Sequence, residues 1–146
     1  MGAARWSALA LALVCTSATA EDMRPTLNET DIHPEDAFLI DAQCTAVFQI
    51  MVDLGTQRGS ETVTACETGA NFMAAQAINQ HKLAFETSQD KSSPVIEDLV
   101  VSEHSAYLEG MQSQDQSIAQ HETNRFVKDV EFCNLRLRAY DAIFKE

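Results

Sequence analysis

The chain has 146 residues with 10 basic and 22 acidic side chains, a formal charge of −12 with histidine neutral. Such a balance repels nucleic acid and anionic membrane surfaces, and no basic stripe offsets it locally. The length fits one domain with a real core.

Residues 1–20 have the order of features of a secretory signal. One positive charge, Arg5, precedes the apolar run Ala8–Cys15, and small residues lead to Ala18-Thr19-Ala20, an A-x-A site. Cleavage after Ala20 is expected, giving a mature protein that begins at Glu21 in the periplasm or outside the cell. The run is shorter than the roughly 20 apolar residues a membrane span needs, and no integral membrane segment is expected in the mature chain. Two rivals are a lipoprotein signal modified at Cys15 and an uncleaved anchor. Val14 stands where the first of these requires a small residue. Loss of Arg5 leaves 9 basic and 22 acidic residues, a charge of −13.

Residues 21–33 are polar and acidic and read as a flexible arm. Within it, Asn28-Glu29-Thr30 would be a glycosylation sequon in a eukaryotic host. The helical pattern starts at Pro34, with Glu35 and Asp36 favourably placed for the helix dipole. Ala37, Ile40, Cys44, Val47, Met51 and Leu54 form one apolar stripe, and Gly55 and Gly59 mark its end. Ser60 then caps a second helix over about residues 61–88, with the stripe Val63, Cys66, Ala70, Met73, Ala77, Ala84 and Phe85. Its many small side chains and Gly69 point to a close crossing.

Residues 87–94 read as a loop, with Ser93 as cap and Pro94 at the first position of a third helix. That helix, about 94–111, uses Ile96, Leu99, Val100, Tyr107, Leu108 and Met111. Gly110 and the polar tract 112–117 suggest a break before the last helix, whose face is Phe126, Val130, Cys133, Leu137, Tyr140 and Phe144. No alternating strand pattern of useful length occurs. The expected architecture is all-α: an antiparallel four-helix bundle over residues 34–146. The alternative is three helices, with 94–145 as one long, kinked helix.

Removal of Cys15 leaves Cys44, Cys66 and Cys133. In an oxidising compartment three thiols imply one disulfide and one spare. At a rise of about 1.5 Å per residue, Cys44 and Cys133 lie about 14 and 16 Å from the same end of neighbouring helices. They are the expected pair. Cys66 falls near the level of residue 52 and is expected to remain a free thiol.

Candidate chemistry is sparse. The mature chain has no phosphate-cradling glycine loop, nucleophile elbow, C-x-x-C or paired Glu-x-x-His. Glu103-His104-Ser105 occupy adjacent helical positions, which point apart and cannot form a relay. The same level counting places His81 and His104 about 10 and 15 Å from that end, in the layer of Cys44 and Cys133. Two cysteines and two histidines in one layer are a candidate zinc or copper set. His81, or Met73 with a histidine, is a candidate haem ligand. The simpler expectation is a disulfide with the two histidines half-exposed at helix edges, and with no catalytic residue, no bound metal and no cofactor. The leading functional expectation is a non-enzymatic module that binds another protein as an adaptor, inhibitor or immunity-type factor. A metal- or haem-binding bundle is the alternative.

Overall fold

A computed structural model of the chain describes residues 35–57 and 63–144. The signal peptide, its cleavage site and the arm of residues 21–33 lie outside them. Four helices follow one another: α1 (Ala37–Gln57), α2 (Val63–Phe85), α3 (Gln89–Met111) and α4 (Gln116–Phe144). They make an all-α four-helix bundle, with no strand among the described residues.

Neighbouring helices run antiparallel, as the contacts between them show. Phe48 of α1 meets Gly69 of α2, and Phe38 meets His81 and Phe85 further along α2. Asp41 and Cys44 likewise meet Arg136 and Cys133 in reverse order on α4. α1 packs against all three other helices. Its expected stripe includes Cys44, Val47 and Met51, yet Asp41, Ala42, Thr45, Ala46, Phe48 and Ile50 are buried as well. A helix apolar on more than one face belongs in the centre of a fold. Contrary to the expectation of no membrane-spanning segment, the span Ala37–Thr56 is long and apolar enough to cross a membrane by length and composition, but it is mostly buried within the bundle.

Two clusters share this central helix. The larger joins Val47, Phe48 and Ile50 to Met73 of α2, Tyr107 of α3, and Phe126 and Val130 of α4. The smaller joins Phe38, Ala42 and Ala46 to Ala77, Ile96 and Val100.

Helix boundaries depart from the sequence expectation at three places. α1 continues through Gly55 to Gln57. The loop expected over 87–94 contracts to residues 86–88, and α3 begins at Gln89. Ser88, in extended conformation, takes the cap position, and its carbonyl accepts from the Lys91 and Ser92 N–H groups at 3.2 and 3.0 Å. Pro94 therefore lies inside the helix, in its second turn, where it forfeits one backbone hydrogen bond. Burial of Ser92, described below, gives this polar stretch a packing role that its composition conceals.

The third helix does end at the polar tract. The Gln112 N–H donates to the Leu108 carbonyl at 2.9 Å, and Asp115 caps α4 by accepting from the Ser117 and Ile118 N–H groups at 2.9 and 3.5 Å. Those bonds, Ser117 foremost, hold the Asp115 carboxyl below the usual carboxylate range. One long helix over 94–145 is thus replaced by two.

α2 ends in a left-handed residue. The Thr87 N–H reaches back to the Lys82 carbonyl at 3.1 Å, the six-to-one bond of a Schellman ending, and Glu86 supplies the positive φ of 49°. A side chain there costs about 1 kcal/mol relative to glycine. Glu86→Gly is expected to raise stability by about 1 kcal/mol, read as a higher urea midpoint with unchanged slope. An unchanged or lower midpoint would show that this turn carries no strain.

Candidate functional site

One turn of α1 carries most of the specific polar chemistry. Asp41 is fully buried; its carboxylate accepts from Arg136 Nε and, at 2.7 Å, from the Tyr140 hydroxyl. Arg136 Nη2 also donates to Tyr140 Oη at 2.9 Å, and its guanidinium lies 5.0 Å from the centre of that ring. Thr45 Oγ1 donates to the Asp41 carbonyl at 2.8 Å. Burial pushes the Asp41 carboxyl above the usual carboxylate range, against the opposing pull of Arg136 and Tyr140. The same burial, with the Asp41 carboxylate beside it, raises the Tyr140 phenol.

A second knot joins three helices two residues further on. Gln43 Nε2 donates to Tyr107 Oη at 2.7 Å, and that hydroxyl donates to Asp129 Oδ2 at 2.5 Å. Arg125 sits 5.3 Å from the Tyr107 ring centre and 3.7 Å from Asp129. Burial and the Asp129 carboxylate push the Tyr107 hydroxyl upward, so it stays a proton donor. Both networks join helix to helix. Sequence periodicity missed Asp41, Arg136 and Asp129 because a stripe analysis counts only apolar side chains.

Cys44 and Cys133 form a disulfide, with 5.3 Å between their Cα atoms, as the level argument expected. Cys66 corrects the other half of that expectation. It is not a free thiol: among the described residues no cysteine is free.

The two histidines do not share the disulfide's layer. His81 Nδ1 is 2.8 Å from Ser92 Oγ, and its ring packs against Phe38 and Phe85, with centroids 5.0 and 4.6 Å away. His104 Nε2 pairs with Asp53 at 3.2 Å. Along α1, Phe38 and Asp53 are separated by about 22 Å at 1.5 Å per residue, so the histidines sit at opposite ends. The misplaced loop explains the error. Starting α3 at Gln89 carries His104 upward, and ending α2 at Phe85 brings His81 closer to the other end. The candidate metal set of Cys44, Cys133, His81 and His104 is therefore not assembled, and its two sulfurs are joined to each other. No cluster of three or more His, Cys, Asp or Glu suited to a metal occurs among the described residues. Met73, the other haem candidate, is wholly buried in the larger core cluster.

Ser92 and His81 resemble a nucleophile and base only in their spacing. Ser92 is fully buried, so its hydroxyl faces no substrate. Its role is to satisfy His81, and Ser92→Ala should cost about 1–3 kcal/mol by leaving a buried ring nitrogen without its partner. Chemical denaturation reads this directly; a loss well under 1 kcal/mol would mean that the bond contributes nothing net.

Among the described residues, an outward-facing groove of about 290 Å³ lies between α1, α2 and α3. Gln49, Asp53, Glu67, Asn71 and His104 line it, with Val52 and Ala70. Asp53 and Glu67 are exposed carboxylates, and no lysine or arginine lines the groove. No protein-family model, no curated protein and no solved structure matches the chain. The groove and the two helix-joining networks are accordingly read on their own geometry.

Proposed function

We propose that the chain is an exported helical module, periplasmic or secreted, that acts by binding another protein as an adaptor, inhibitor or immunity-type factor. One contrast carries this reading. The polar networks around Asp41 and Tyr107 join helix to helix, whereas the Asp53–Glu67 groove presents carboxylates outward with no lysine or arginine lining it. A basic surface on a protein partner complements such a groove and the acidic chain around it. The disulfide between Cys44 and Cys133 supports the export part, because such bonds persist in oxidising compartments.

The test is capture from an envelope extract at low and high salt, with the wild-type protein and D53K/E67K side by side. A partner that is retained at low salt, released by salt and lost with D53K/E67K supports the reading. Retention indifferent to both changes would remove the groove from it. Stoichiometric metal or a Soret band in the purified protein would replace the reading altogether.

A further inference from the structure

The seam between α1 and α4 has an unusual make-up. On α4 the residues facing α1 are Asp129, Cys133, Arg136 and Tyr140, a single helical stripe. Their partners Asp41, Gln43 and Cys44 occupy one turn of α1. The seam thus combines an ion pair, hydrogen bonds to the Asp41 and Asp129 carboxylates and one covalent bond, beside the apolar packing of Val130 and Leu137 in the larger cluster. A buried ion pair returns little net stability once its desolvation is counted. The apolar anchors Phe126 and Val130 lie in the half of α4 before the disulfide, and Phe126 meets Tyr107 of α3 edge to face with ring centroids 5.6 Å apart. Beyond Cys133, among the described residues, the one buried side chain is that of Arg136. Leu137 and Tyr140 are partly buried, and Phe144 is exposed.

Access to the bond follows from the same geometry. Cys44 and Cys133 are each 1% exposed in the closed bundle. A disulfide-bearing oxidant must touch a thiolate sulfur to exchange with it, so the bond forms only while this half of α4 is off α1. We propose that the Cys44–Cys133 disulfide is a conformational lock set at export. In the reduced chain residues 134–144 stay undocked, and oxidation closes them onto the Asp41 turn. This timing rests on the export reading above. In the locking step one cysteine thiolate attacks the oxidant's disulfide, and the second thiolate then displaces the oxidant from the mixed disulfide. The two cysteines give up two electrons and two protons, and the oxidant leaves as a dithiol.

Hydrogen exchange read by mass spectrometry tests the lock on the full chain, comparing the oxidised protein with C44A/C133A and with C44V/C133A. The second variant refills the space left by the sulfurs, and both leave Cys66 untouched. Amides of residues 134–144 should exchange at least about tenfold faster in the variants, with protection of 63–111 unchanged. Unchanged exchange at 134–144, or protection lost together from all four helices in both variants, would overturn the lock. The export reading is scored separately, by the N-terminal sequence of the protein recovered from the envelope, where Glu21 is expected.

Discussion

Asp41→Ala is expected to destabilise the bundle by about 3–5 kcal/mol, because it leaves the Arg136 guanidinium buried without its carboxylate. Arg136 is 8% exposed and cannot turn to water without leaving α1. Tyr140 loses its carboxylate acceptor in the same step, and its hydroxyl remains with Arg136 and Gln80. The double change D41L/R136L should behave differently. It removes both charges, fills the space with apolar volume, and is expected to match the wild type within about 1–2 kcal/mol or exceed it. The direction of the Asp41 titration supports this. Its folded value is raised above the ordinary 3.8, so the fold prefers the neutral acid. That contribution is fully present below the unfolded value and is lost as pH rises through the raised one. At neutral pH the ionised carboxylate therefore works against stability. D41L/R136L should flatten this part of the pH–stability curve above 3.8. Urea unfolding of the single and double variants between pH 4 and 8 measures both effects. A double variant as unstable as Asp41→Ala would show that the ion pair itself, and not a buried guanidinium that has lost the Asp41 carboxylate, sets the cost.

Much of this fold follows from apolar spacing. The stripes Cys44–Val47–Met51, Cys66–Ala70–Met73–Ala77 and Phe126–Val130–Cys133 are buried as their periods require. The Cys44–Cys133 bond follows from level counting because it links two helices whose neighbouring ends were placed nearly right. Errors arise where polar chemistry replaces burial as the local signal. Gln89–Ser93 looks like a loop by composition, yet Ser88 caps a helix there and Ser92 is buried against His81. That shift of five residues moves His104 away from the disulfide and dissolves the four-residue metal layer. Asp41 and Arg136 stand 95 positions apart, and no local pattern marks them as partners. The groove is hidden for a related reason. Asp53 and Glu67 come from different helices and line one groove across a crossing that only the packed structure defines.

That crossing gives the second large effect. Phe48 is fully buried at the centre of α1, and Phe48→Ala should cost about 3–5 kcal/mol through lost burial and the cavity left behind. The ring also sets the distance between α1 and α2. A Cβ added at Gly69 would lie 3.3 Å from Phe48 Cδ2 and 3.3 Å from Leu137 Cδ2 of α4, slightly tighter than ordinary contact. Gly69→Ala in the wild type therefore sets a helix-propensity gain of about 1 kcal/mol against compression of two side chains. A net change within about 1 kcal/mol of zero is expected. In the Phe48→Ala background one of those contacts is gone, and Gly69→Ala should then stabilise by close to the full propensity difference. The double-mutant cycle should show a coupling of about 0.5–1 kcal/mol between positions 48 and 69, measured from urea midpoints of the four proteins. Additive changes would mean that the glycine admits α4 through Leu137 alone. Positive coupling would identify the Phe48 ring as the reason α2 carries glycine at its closest approach to α1.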